Sequence, residues 1–388
     1  MVEHPLPRRV LIGEPVEEAL PRLLEDLGVR RVLIVSDRIV SSLSKTIRLV
    51  RRLEEAGFTV GVYSRVPSEP AVDVADRIAE AAGSLRAEVI VAIGGGSVID
   101  AAKAGLVRYL APHVKIEDIA PFNRLGVERS KALLVAAPTT SGTGSDASHG
   151  IVVTVYKDGV REKVAVGSPE VVPYATILDP DYPLQAPPRL RGAVGMDALS
   201  HALEALVASQ ATPLTDALAV GAARILFRHL PGAVGGDRES AEMVHVAATM
   251  AGMAFTGAGL GLAHALAHPL GARLGTHHGL TVGIILPAVL RLYERVEGTG
   301  EKLAVLKRVL EAVDGLPESS TLAGHVERLQ EEIGFPRTFR EAGVDEGLYM
   351  EAARQAAEEA LHDPDIAFSP IVPSPGEMYE LLVGLYGG

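Results

Sequence analysis

The sequence predicts an α/β first half followed by an all-helical second half, and three observations carry that reading. Short β-branched apolar runs alternate with amphipathic stretches from Arg31 to about Asp179, the grammar of a parallel sheet with covering helices. After Pro180 those runs stop, and long Ala- and Leu-rich segments at helical period take over. The chain of 388 residues is also longer than one hydrophobic core usually supports, so two domains are expected. The prolines of DPDYPLQAPPR, Asp179 to Arg189, rule out a helix running through the junction. We place the domains at residues 1–183 and 184–388.

Taken in order, the strand-like runs are RVLIVS, FTVGVYS, EVIVAI, ALLVAA, GIVVTVY and ATILD. Amphipathic segments such as Pro70 to Leu85 lie between the first four. The second half offers LRGAVGMDALSHALEALVA, TPLTDALAVGAARILFRHL and EKLAVLKRVLEAV as helices. A hydrophobic fraction of 47% with 22% charged residues describes a compact chain, not a solvating one. Net charge is -12, which argues against nucleic acid as a partner, because phosphate backbones need clustered Lys and Arg.

Cysteine is absent, which excludes disulfides, thiolate metal sites and a Cys nucleophile, so any metal must use His, Asp or Glu. Asn123 is the only asparagine, and this depletion of labile residues suits a thermostable protein. The N-terminus lacks a signal-peptide pattern, and a cytoplasmic location is expected. The stretch from Val246 to Ala263 is uncharged and long enough to count as a spanning candidate. Its Ala, Gly and Thr content, and the histidines that follow, point to one buried helix and no membrane span.

Gly94, Gly95, Gly96 and Ser97 fall at the end of the EVIVAI strand, before a helix, where α/β sheets place ligands. Bare backbone there admits a diphosphate, and the helix start offers unpaired N–H groups. Ser97 and Asp100 have the spacing of a capping box, so Asp100 is expected to tie down the helix start. A second strand ends in PTTSGTGSD, where Thr139, Thr140 and Thr143 suit contacts to phosphate and ribose; the alternative is a polar surface turn. Asp37 ends the first strand, where a carboxylate either accepts from a ribose 2′-OH or caps a helix.

In the second half, Asp197 and His201 are four residues apart on one helical face, and His264 and His268 repeat that spacing. Pro269 and Gly271 are expected to end the second of these helices, with His277, His278 and Gly279 in the turn that follows. Five of the twelve histidines thus fall in two apolar segments beside an Asp, and buried imidazoles with a carboxylate need the compensation a divalent cation supplies. Nitrogen and oxygen donors suit Fe²⁺ or Zn²⁺.

Through GGGSVIDAAK, PTTSGTGSD, GMDALSHALEA, AGLGLAHALAHPLG and HHG, in that order, the chain resembles the iron-containing, or group III, alcohol dehydrogenase family. The resemblance implies a Rossmann-like α/β NAD(P)-binding domain and a helical metal-binding domain, the architecture shared with dehydroquinate synthase. It implies Asp197, His201, His264 and His278 as metal ligands, and His268 as the histidine that helps move a proton. NAD contacts would fall on Asp37, Gly95, Gly96, Ser97, Thr139, Thr140, Thr143, Lys163 and Leu178. The family is usually homodimeric, so a homodimer or higher homo-oligomer is expected. Departures from the family pattern fall at Asp146, His149, Phe255-Thr256-Gly257 and Leu280-Thr281-Val282.

The expected activity is hydride transfer between NAD(H), or NADP(H), and a small alcohol or aldehyde, with Fe²⁺ or Zn²⁺ as Lewis acid. Two alternatives stand beside it. One is a polyol, glycerol-type dehydrogenase, disfavoured by the presence of His201. The other is a dehydroquinate synthase-like lyase that uses NAD transiently, disfavoured by the few basic residues between Asp197 and Gly279.

Overall fold

The structure is a computed structural model that describes residues 4–119, 125–127, 132–157 and 160–387. The chain divides into two compact units between Gln185 and Ala186. The first unit carries eight strands: β1 (Arg9–Ile12), β2 (Arg31–Ser36), β3 (Thr59–Tyr63), β4 (Val89–Gly94), β5 (Leu133–Pro138), β6 (Gly150–Lys157), β7 (Val160–Gly167) and β8 (Ala175–Leu178). Six of them form one sheet in the order β1-β8-β5-β4-β2-β3. Every neighbouring pair in it runs parallel.

Both faces of this sheet are covered, because successive side chains of a strand point to opposite sides and both sets here are apolar. Val32, Ile34, Val89, Val91 and Ile93 pack under α1 (Val16–Asp26) and α3 (Ser44–Glu55) through Leu20, Leu24, Leu49 and Leu53. Leu33, Val35, Ile90 and Ala92 pack under α4 (Val72–Leu85) and α5 (Gly96–Leu110) through Ile78, Ala82, Ile99 and Leu106. Each aliphatic side chain fully buried in this way contributes about 1.5–3 kcal/mol. A short helix, α2 (Arg38–Ser42), follows β2.

Three features depart from the expectation. Strand β1 was not anticipated; three of its residues are partly buried and Ile12 is exposed, and pairing with β8 makes it a strand. GIVVTVY forms β6, but it stands outside the main sheet and pairs antiparallel with β7, whose sequence VREKVAVG is too charged to read as a strand alone. The residue Asp100 does not cap α5; the N-cap is Gly95, and Asp100 points inward.

The second unit is helical, with α6 (Pro188–Val207), α7 (Pro213–Gly235), α8 (Arg238–Ala258), α9 (Leu262–Leu274), α10 (His278–Tyr293), α11 (Thr299–Ala312), α12 (Leu322–Glu332), α13 (Glu346–Glu359) and α14 (Pro375–Gly387). The apolar stretch 246–263 is not one helix. It is the end of α8 and the start of α9, which turn by 108°. Gly259 at the break has φ 83°, a left-handed conformation that ends α8. Among the described residues no single helix is long and apolar enough to cross a membrane.

Pro269 and Gly271 do not end α9, which continues to Leu274 and stops at Gly275 with φ 63°. Burial of Leu266, Ala267 and Leu270 holds the helix together although Pro269 lacks an N–H donor.

Candidate active site

On α6, Asp197 and His201 sit one turn apart and are buried. His264 on α9 and His278, the first residue of α10, converge on the same carboxylate. Asp197 Oδ1 lies 3.8 Å from His201 Nε2, 3.7 Å from His264 Nε2 and 3.3 Å from His278 Nε2. A tetrahedral ion with bonds of about 2.1 Å holds its ligand atoms about 3.4 Å apart, so these separations suit a shared cation. The ligand atoms of Asp197, His201 and His264 all lie within 4.8 Å of one another. The approach of α10 depends on Gly279, where a Cβ would come 2.3 Å from the Ala193 carbonyl oxygen and 3.1 Å from Asp197 Cβ.

Two atoms at the centre of this group are buried and make no hydrogen bond, Asp197 Oδ1 and His264 Nε2. Leaving a buried polar atom unpaired costs about 1–3 kcal/mol, more for a charged group. A divalent cation between them would relieve both. Burial alone pushes the Asp197 carboxyl up, but His201 and His278 foremost pull it well below the carboxylate range. Burial pulls His264 down, yet Asp197 and Glu204 raise it to about 10 in the metal-free chain. For His278 burial prevails over the attraction of Asp197, and its pKa is lowered.

Around this cluster, Phe255 lies against His201 with ring centroids 4.7 Å apart, and His268 stacks on His278 at 5.0 Å. Two carboxylates that the sequence did not single out hold the outer nitrogens. Glu204 lies 2.6 Å from His264 Nδ1, and Asp363 lies 2.8 Å from His268 Nδ1. Partial burial lowers the His268 pKa, and the bond to Asp363 outweighs it and raises it. Glu204 could have been found from its position seven residues after Asp197, on the same helical face. Nothing local marks Asp363, which is 95 residues from its partner.

In the first unit, the two loops expected to contact a dinucleotide lie side by side, because β4 pairs with β5 as far as Gly94 and Pro138. Gly95 caps α5 without a side chain, and a Cβ there would meet nothing closer than Thr140 Oγ1 at 3.5 Å. At Gly96 a Cβ would come 2.8 Å from Thr143, so bareness at this position lets the second loop close in. Ser97 Oγ donates to the Ser68 carbonyl at 2.6 Å. Thr139 is buried and donates its backbone N–H to the Gly94 carbonyl at 3.0 Å.

Asp37 is the N-cap of α2, with Oδ1 accepting from the N–H groups of Ile39 and Val40 at 2.8 Å each. Lys163 lies on β7 and pairs with Glu69 at 2.6 Å, and Leu178 ends β8 with its side chain buried. Among the described residues these three bond to Ile39 and Val40, to Glu69, and to the Gly13 N–H, not to the glycine and threonine loops.

Beneath the loops lies a buried network. Lys103 donates to the Gly150 carbonyl at 2.7 Å and to Ser145 at 3.1 Å, while Asp100 accepts from Ser145 Oγ and from the Val152 N–H at 3.0 Å. Burial lowers the Lys103 pKa to about 8 against the pull of Asp100 and Asp146. His149 is pushed down to about 4, by burial first and by Lys103 second. Asp146, one of the departures from the family pattern, accepts from Thr176 at 3.0 Å.

A parallel α/β unit and a helical unit with a carboxylate–imidazole cluster fit a metal- and nucleotide-dependent enzyme, and comparison with known proteins sets its class. Residues 7–180 match the iron-containing alcohol dehydrogenase family, and residues 192–386 match that family's C-terminal part. The chain is 36% identical over 358 residues to an alcohol dehydrogenase of Thermococcus barophilus, covering 90% of this chain and 91% of that one. It is 30% identical to the NADPH-dependent butanol dehydrogenase of Clostridium saccharobutylicum over 100% and 99% of the two chains. The solved structure of an iron-containing alcohol dehydrogenase from Thermococcus thioreducens matches over 100% of both chains, with a TM-score of 0.88 and 34% identity. The chain belongs to the iron-containing alcohol dehydrogenase family. It is an enzyme of the alcohol dehydrogenase type, and its family implies use of a metal and a nicotinamide cofactor.

Proposed function

We propose that this enzyme interconverts a small primary alcohol and its aldehyde with NAD(H), using Fe²⁺ or Zn²⁺ held by Asp197, His201, His264 and His278. The observation that carries the proposal is the pair of buried, unbonded atoms Asp197 Oδ1 and His264 Nε2, 3.7 Å apart. When bound, the metal supplies Lewis acidity toward the substrate oxygen, and the cofactor supplies or accepts the hydride.

The chain's own residues do the rest. Asp197, His201 and His264 are nearly inaccessible and fix the geometry, whereas the side chains of His278 and His268 are 36% and 38% exposed, so a substrate enters past those two rings. His268, held at Nδ1 by Asp363, keeps Nε2 available to move the hydroxyl proton. Phe255 supports His201 from its flank. Gly95, Gly96, Ser97, Thr139, Thr140 and Thr143 cradle the diphosphate, with Lys163 and Leu178 as further contacts. Asp37 favours NAD, because a carboxylate at that place repels a 2′-phosphate. The butanol dehydrogenase relative is NADPH-dependent, so a panel of primary alcohols assayed with both cofactors is the direct comparison.

Substitution His264→Ala tests the proposal. Wild-type enzyme reconstituted with Fe²⁺ or Zn²⁺ is expected to form NADH from a primary alcohol. The variant is expected to hold no metal and to lose turnover by about 10³-fold or more, while NADH binding measured by fluorescence persists. Full turnover by a metal-free variant contradicts it.

A further inference from the structure

Behind the four ligands stands Glu204, on α6 and two turns beyond Asp197, with a side chain that is 0% exposed. Four donors converge on it. Oε1 accepts from the Ala263 N–H at 2.8 Å and from the Tyr293 hydroxyl at 3.1 Å. Oε2 faces the His264 N–H at 3.2 Å and His264 Nδ1 at 2.6 Å. The carboxylate can come this close because Gly261 precedes α9, where a Cβ would lie 2.9 Å from Oε1 and 2.5 Å from the Tyr293 oxygen.

One part of this arrangement is a helix cap. The N-cap Gly261 has no side chain to offer, so the first N–H groups of α9 go to Tyr293, through Leu262 at 2.8 Å, and to Glu204. A cap alone does not require the imidazole contact. A carboxylate only accepts, so the 2.6 Å contact keeps a proton on His264 Nδ1, and the proton that gives way to a cation is the one on Nε2. Nε2 is the unbonded atom facing Asp197.

We infer that Glu204 is a positioning residue for the metal: it locks His264 in the one neutral tautomer that can ligate through Nε2, and so sets how tightly the cation is held. The inference rests on the metal reading of the preceding subsection. Glu204 also places a second carboxylate behind the cluster, so that with Asp197 two carboxylates face one divalent charge.

Glu204→Gln separates the two roles. The amide oxygen stays on the Ala263 N–H and keeps that part of the cap, while the His264 N–H loses its acceptor. The amide NH₂ then faces His264 Nδ1, which must accept, and the ring proton moves to Nε2, where the metal binds. Metal-free wild type and variant are titrated with Co²⁺ in competition with a chelator, read by the cobalt d–d bands and with no turnover involved. Expected are a 10- to 100-fold weaker Co²⁺ affinity in the variant, altered d–d bands, and a loss of metal-free stability well short of the loss of affinity.

Wild-type affinity in Glu204→Gln overturns the inference, and so does a loss of affinity matched by an equal loss of metal-free stability, which marks a cap and nothing more. Tyr293→Phe, which leaves the imidazole contact in place, is expected to keep Co²⁺ affinity within about threefold; a loss as large as that of Glu204→Gln also overturns it. Wild type that binds no Co²⁺ overturns the metal reading itself, a result distinct from the others. Should Glu204→Gln fail to fold, the imidazole ¹⁵N shifts of Zn²⁺-loaded wild type decide. A proton on His264 Nδ1 supports the inference, and a proton on Nε2 contradicts it.

Discussion

Two buried polar clusters, one in each unit, are arranged in opposite ways. Under the glycine and threonine loops of the first unit, buried polar groups satisfy one another: Lys103 with Gly150 and Ser145, Asp100 with Ser145 and Val152, Asp146 with Thr176. In the second unit, the buried atoms Asp197 Oδ1 and His264 Nε2 are left without hydrogen bonds. A dinucleotide can be held by backbone N–H groups and hydroxyls that water also solvates when it is gone. A cation needs lone pairs aimed at one point, and those stay unpaired without it. The second kind of site therefore shows itself in a metal-free chain more plainly than the first.

The largest expected effect concerns the edge of the metal group. His268→Ala is expected to lower turnover by about 10²- to 10⁴-fold with metal content unchanged, measured by steady-state rates and elemental analysis on the same preparation. Loss of the metal as well would make His268 a ligand and redraw the cluster. On the other side of the comparison, Gly96→Ala puts a Cβ 2.8 Å from Thr143 and forces the two loops apart. NADH affinity is expected to fall about tenfold, roughly 1.4 kcal/mol, with metal content intact. Unchanged affinity would mean that these loops do not hold the cofactor.

The strand-and-helix division of the chain was legible because both faces of the sheet are apolar and the second half keeps helical period, signals that live within a dozen residues. Strand β1 and strand β7 were not, since each becomes a strand only through its partner, β8 or β6. The clustering of Asp197 with histidines was expected because Asp197 and His201, and His264 and His268, are turn-spaced in apolar segments, while the choice of Asp197, His201, His264 and His278 came from the family resemblance. Asp363 was not, because a carboxylate that holds a histidine 95 residues away leaves no local spacing to read, whereas Glu204 does share the helical face of Asp197. Asp100 was misread for the same reason. Its spacing from Ser97 suits a cap, but Ser145 and Val152 draw it inward.

The satisfied network has its own test. Lys103 titrates near 8 in the folded chain against an ordinary 10.5, so between those values the unfolded chain binds more protons and stability rises with pH. Lys103→Met is expected to remove that rise, on the order of 3 kcal/mol, in denaturant unfolding followed across the same window. An identical pH slope in variant and wild type would show that Lys103 is not strained by burial.

The most direct measurement is diffraction from metal-loaded crystals collected at the absorption edge of Fe or Zn. The account predicts one anomalous peak about 2.0–2.2 Å from Asp197, His201, His264 and His278. A peak at His268, Asp363 and Asp365, whose ligand atoms also lie within 4.8 Å of one another, or no peak among these residues, would contradict it.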